Sequence, residues 1–241
     1  MYKRQGINRL FPERGGEDTA PPEESRAVGT ITFKDPQNPK AVIDRENNTL
    51  RPRENEVRYN VLMHISWSEV LHPGWYPSSA HLSPMVAWSH RVKDVVFKEG
   101  EVASEGIEVM AETGGTDELR EEIQNIGERG FILHYDIGKV IDAPGEDTTT
   151  ILLSNEARYA SIVSMIAPSP DWFVAVHNVE LFNGNSWYKR KAVPAVLYDA
   201  GTDNGKTFSA WNSDTDPPKP ITLLPNAPPV PLVTFEFQLV E

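Results

Sequence analysis

The run "VRYNVLMHISW", Val57 to Trp67, constrains the fold more than any other stretch of the chain. Val57, Tyr59, Val61, Met63, Ile65 and Trp67 fall on one side of an extended backbone; Arg58, Asn60, His64 and Ser66 fall on the other. A period of two turns successive side chains to opposite faces, so this is a half-buried strand. The chain ends on the same pattern, with Val233, Phe235, Phe237 and Leu239 against Thr234, Glu236 and Gln238. Between them "FILHYDI", "TTTILLS", "YASIVSMIA", "WFVAVHNVELF" and "AVPAVLY" follow one another, separated by turn signals. About seven or eight strands with one helical insert predict an all-β chain, an antiparallel β-sandwich.

The insert lies between Val96 and Gly127. Val102, Val109 and Met110 with acidic residues between them predict a helix within 96–113. In "GGTDELREEIQNIG", Thr116 is the expected N-cap and Asp117 and Glu118 suit the positive end of the dipole. Leu119, Ile123 and Ile126 share a face, and Gly127 is the expected left-handed stop. "HPGWYPSSAHLSPMVAWSH" reads as a loop leading into a short helical turn. The stretch from Asp35 to Glu56 reads as a long loop, with room for a short edge strand. "DTDPPKPITLLPNAPPVP" holds seven prolines, which predicts a rigid extended connection over a sandwich edge.

Residues 1–26 are charged, rich in Pro and Gly and without period, and read as a tail or linker; residues 27–241 are the folded domain. Met1 to Gln5 match what the end of a transposon-type sequencing adapter encodes. These residues are therefore expected to be an assembly artefact, with the true start and any signal peptide upstream. A net charge of −12 argues against a nucleic-acid partner, since phosphate binding needs a basic face. With no cysteine, neither a disulfide framework nor a thiolate zinc site is possible. No apolar run is long enough to span a membrane.

The carboxylates carry the functional question. Asp171 in "PSPDWF" opens one strand, Asp199 ends another, and Asp203 lies in the loop that follows. Antiparallel strands bring such starts and ends to the same rim, so the three side chains converge if the strands are neighbours. A hard cation such as Ca²⁺ takes six to eight oxygens at about 2.3–2.6 Å from loops able to wrap it. Spacing alone leaves a second reading open, because Asp and Asn beside Gly are also ordinary turn residues.

"MIAPSPDWFVAVHNVELF" followed by "YDAGTDNGKTF" resembles the spondin domain family of the F-spondin and mindin type. "YNVLMHISWSEVLHPGWYPSSAHLSPMVAWSH" and "FKEGEVASEGIEVMAETGG" extend the resemblance from Val57 to Phe208, here in a bacterial member. The resemblance implies a C2-like β-sandwich holding Ca²⁺ at one rim, with Asp171 and Asp199 as ligands. The chain departs from the family in lacking its flanking cysteines and in carrying His177 where the family has an acidic residue. An acidic ligand that the family takes from the preceding strand falls on Leu152, with Glu156 the nearest carboxylate; Asp203 is the substitute candidate.

Catalytic readings find little support. The six histidines (64, 72, 81, 90, 134 and 177) lack metal-ligand spacing, and no G-x-S-x-G elbow is present. His64 reads as solvated on its strand, and Glu121 and Glu122 as members of a solvated helix face. The chain is therefore expected to be a non-catalytic, calcium-binding adhesion or recognition module, secreted, periplasmic or on the cell surface, whose partner is an extracellular protein or glycan. The alternative is a carbohydrate- or polymer-binding module using Trp75 and Tyr76. Membrane binding is not expected, since Lys206 is the only basic residue in the rim loop.

Overall fold

The computed structural model describes residues 52–240 and, in addition, the strand placements of 31–32, 43–44 and 49–50. Its first strands are β1 (Ile31–Thr32), β2 (Ile43–Asp44), β3 (Thr49–Leu50), β4 (Glu56–Ile65), β5 (His81–Leu82) and β6 (Val86–His90). Helices α1 (Glu105–Thr113) and α2 (Asp117–Glu128) follow, then β7 (Ile132–Ile137), β8 (Ile141–Asp142), β9 (Gly145–Ser154) and β10 (Tyr159–Ala167). The chain ends with β11 (Trp172–Glu180), β12 (Arg190–Pro194), β13 (Val196–Asp199), β14 (Thr222–Leu223) and β15 (Val233–Val240). The expected tail, residues 1–26, and the opening of the expected strand at Ala27 lie outside the described residues.

The two long alternating runs are neighbours. β15 and β9 flank β4, and β12 completes a four-stranded sheet in the order β12-β15-β4-β9. The larger sheet has nine strands along the path β1-β7-β6-β10-β11-β13-β14, with β5 and β8 to the side. Tyr59, Val61, Met63, Phe235 and Phe237 of the small sheet pack against Ile162, Ile166, Val174 and Val176 of the large one. Full burial of each such side chain contributes about 1.5–3 kcal/mol, so this interlayer core dominates the favourable side of folding.

The helices form a third layer. Ile107, Met110, Leu119 and Ile123 cover the outer face of the large sheet, against Val163, Met165, Phe173 and Tyr198. The central strand β10 is therefore buried on both faces, which explains why "YASIVSMIA" reads as an almost unbroken apolar run. The helices meet where Gly106 leaves no room for a side chain, a Cβ there lying 2.6 Å from the Leu119 backbone.

Several local expectations are corrected. "VAWSH" is strand β6 rather than a helical turn, since burial of all five residues erased the alternation that would have marked it. The first helix begins at Glu105, capped by Ser104. Thr116 occupies the N-cap position of α2 but its side chain makes no capping bond. Gly127 stays helical, and the left-handed residue is Gly130, with φ 82°. Glu122 leaves the solvated face to cap α1, accepting from Ser104 Oγ at 2.7 Å and Gly106 N at 2.8 Å. "AVPAVLY" is two strands: β12 pairs with β15 in the small sheet and β13 with β11 in the large one. The proline-rich connection lies, as expected, along the β13 edge, to which it contributes β14.

Candidate functional site

Pairing of β11 with β13 sets Trp172 opposite Asp199, so Asp171 and Asp199 meet at one rim. The backbone ties them, Ala200 N donating to Asp171 O at 3.1 Å. Pro168 and Pro170 end the apolar run of β10, since neither donates to a ladder, and turn the chain back into β11. Asp171 is wholly buried, while Trp172 and Phe173 beside it enter opposite cores.

The Asp171 carboxylate holds the next loop in place. Its Oδ2 accepts from Thr202 N at 2.8 Å and Asp203 N at 3.0 Å. Its Oδ1 is buried without a hydrogen-bond partner. An unmade bond on a buried acceptor is costly, which makes this oxygen the most informative atom of the rim. Asp203, also buried, accepts from Gly205 N at 2.5 Å and from Ser213 N at 2.6 Å, and so clasps the base of the 204–213 loop. Asp199 Oδ1 accepts from Gly201 N at 2.9 Å. Asp199 and Asp203 thus both make Asx-turns onto a glycine two residues on, so the turn reading describes their geometry as well as a ligand reading does. Gly201 has no substitute here: its φ is +77° and a Cβ would sit 2.4 Å from Lys219 O.

The electrostatics are those of crowded acids. Burial pushes Asp171 above its usual range, against the pull of the Asp203 and Thr202 amides, and the charges of Asp199 and Asp203 push further. Burial raises Asp199 too, partly offset by the Gly201 amide and Lys219. A fourth carboxylate, Glu112 on α1, hydrogen-bonds the Thr202 side chain; burial raises it first, and Glu108, Asp171 and Asp203 add to the effect. Local spacing gave no sign of Glu112, because only the packing of the helical layer on the sheet brings it to the rim.

Beside the carboxylates an open cleft of about 1020 Å³ is lined by Trp75, Trp172, Asp199, Asp203, Lys206 and Lys219, among others. Trp75 is partly buried against Trp172, ring centroids 6.3 Å apart, and Phe208 packs on both indoles. Tyr76 is pinned inward, its hydroxyl donating to Ala143 O at 2.6 Å.

Leu152 and Glu156 are remote from this rim. The antiparallel register places Leu152 opposite Arg58, near the start of β4, whereas the carboxylate rim lies beyond its end. Glu156 pairs instead with Arg91 at the far end. His177 is also away from the rim, stacked on Phe97 at 4.3 Å with Nε2 3.4 Å from Asp94. His64 lies on the outer face of the small sheet, 2.9 Å from Glu146.

Asp171, Asp199 and Asp203 are hard oxygen donors, and a buried unpaired carboxylate oxygen among raised acids is suited to a cation. Among the described residues, however, no three His, Asp or Glu side chains converge into a ready metal cluster. A calcium ion here would complete its shell from backbone carbonyls and water.

Layered sheets with loops gathered at an acidic rim define a β-sandwich module with a helical layer on one face. The Spondin_N family model matches residues 57–231, and the chain belongs to that family. Spondin-2 of Homo sapiens is 29% identical over 177 residues, covering 71% of this chain and 54% of that protein. Spondin-2 of Rattus norvegicus is 30% identical over 186 residues, 75% of this chain and 56% of that protein. Spondin-1 of Mus musculus is 28% identical over 171 residues, 68% of this chain and 21% of that protein. The chain thus spans about half the length of the Spondin-2 proteins and about a fifth of Spondin-1.

Proposed function

We propose that this chain is a non-catalytic extracellular recognition and adhesion module in which Ca²⁺, held by Asp171, Asp199 and Asp203, fixes the shape of the rim loops. The supporting observation is the buried, unpartnered Asp171 Oδ1 beside two further carboxylates. When bound, the ion supplies charge neutralisation and no chemistry. The chain's own residues do the positioning: Asp171 holds the Thr202 and Asp203 amides, and Asp203 closes the following loop. Membership of the Spondin_N family supports placement outside the cytoplasm, whether secreted, periplasmic or on the cell surface. Among the described residues no helix is long and apolar enough to cross a membrane.

The test is thermal unfolding after EDTA treatment, with and without added Ca²⁺, on the wild type, Asp171→Asn and Asp199→Asn. A calcium-dependent rise in the wild type that both variants lose supports a shared ion. No rise in the wild type returns the three carboxylates to turn formation alone.

A further inference from the structure

We propose that the cleft beside the rim carboxylates binds a neutral oligosaccharide. This rests on the reading of the rim as a recognition face and adds the class of ligand. The cleft volume, about 1020 Å³, is at the upper end of small-ligand sites, which favours a chain of several rings over a single small molecule. Trp75 and Trp172 both line it, with interplanar angle 33°, and Phe208 packs edge-to-face against each. Trp172 is almost wholly buried and serves as a backing for the partly exposed Trp75, whose locked indole offers flat apolar area at little entropic cost, matching the C–H face of a pyranose ring.

The polar lining completes the match. Asp199 and Asp203 are acceptors, Lys206 and Lys219 donors, and Asn204 and Asn226 offer both. Lys219 is already positioned, its Nζ donating to Asn204 Oδ1 at 3.0 Å. Hydroxyl groups, which donate and accept at one atom, suit such a mixture. Two carboxylates and two ammonium groups cancel, so the cleft is formally neutral in a chain of net charge −12. An anionic polymer would meet an unfavourable overall field, and a purely apolar ligand would leave the charged walls unpaired. The strongly exposed apolar side chains, Trp211 at 93% and Val70 at 89%, are not among the cleft residues, and a protein partner would be expected to cover them instead.

The experiment is calorimetric titration and tryptophan-fluorescence quenching of the whole chain with chitohexaose, cellohexaose, laminarihexaose and mannohexaose, each in Ca²⁺ and in EDTA. At least one should bind, with affinity reduced about tenfold or more in Trp75→Ala, the loss of one stacking platform. Because Trp75 also packs, the exposed cleft residue Lys206 provides a second arm: Lys206→Ala should weaken binding while leaving the unfolding temperature in place. Trp211→Ala should leave affinity unchanged. Absence of binding by all four sugars overturns the proposal, as does binding that survives the cleft variants or is lost in Trp211→Ala. A calcium-dependent thermal shift without sugar binding removes the ligand and leaves the ion; sugar binding without that shift does the reverse.

Discussion

The two ends of the sandwich handle charge in opposite ways. At the far end three acids have cationic, imidazole or amide partners: Arg91 with Glu156, Arg158 with Glu180 at 3.3 Å, and Asp94 with His177 and with Asn178 Nδ2 at 2.6 Å. At the carboxylate rim the acids are held by backbone amides and crowd one another, with Lys219 the nearest cation offsetting Asp199. The three far-end acids are matched side chain to side chain. At the carboxylate rim the buried Asp171 has acids and amides around it but no cation among the groups acting on it, a charge that protons or a bound cation would relieve. The difference teaches where to look for function: a fold tolerates unrelieved charge at a site and seldom elsewhere.

The largest effect expected from this contrast is calcium stabilisation. At about 100 times its dissociation constant an ion adds about 2.7 kcal/mol, or roughly 5–10 °C in a chain of this size. That gain should vanish in Asp171→Asn and Asp199→Asn; persistence in either variant breaks the contrast. Gly201→Ala should cost about 1–3 kcal/mol, since a side chain there meets Lys219 O at a left-handed φ. Chemical denaturation checks this, and an unchanged midpoint would mean that the loop accommodates the methyl group.

The third expectation concerns pH. Burial raises Asp171, Asp199 and Glu112, so the folded state binds these protons more tightly than the unfolded chain does. The associated stability is present below the ordinary carboxylate range and is lost as pH rises through the raised folded values. In EDTA, the wild type should therefore lose stability relative to Asp171→Asn as pH climbs from that range toward neutrality, and added Ca²⁺ should reverse the trend. Urea midpoints across that range give the difference directly, and a flat difference contradicts the crowding. The smallest effect belongs to the far end, where Glu156→Gln should cost less than about 1 kcal/mol and leave calcium binding untouched, because its pair with Arg91 is largely exposed.

What the sequence disclosed follows from how each element is buried. β4 faces the core on one side only, so its alternation was readable, and the same holds for β15. β6 is buried throughout and lost that signature. The sheet change between Pro194 and Val196 was marked only by Pro194 itself, because both halves of the run "AVPAVLY" are otherwise apolar and extended. At the site, the three aspartates were legible because turn chemistry marks them locally. Glu112 and the Trp75–Trp172–Phe208 cluster were not, since their roles depend on which layers pack together. The far placement of Leu152 and Glu156 likewise needed the register of β9 on β4, which no linear match supplies.

The switch of sheets at Ala195 has a consequence for assembly. Asp171 opens a strand that belongs wholly to the large sheet, whereas Asp199 ends a run that began in the small one. Ala195 N donates to Val233 O at 2.9 Å, stitching the crossing point to the strand that completes the small sheet. The two carboxylates meet through the β11–β13 pairing of the large sheet, while the chain that joins them visits the small sheet on the way. A cation held by both would therefore close a loop that reaches from one layer to the other and back, tying the excursion through β12 to the rim.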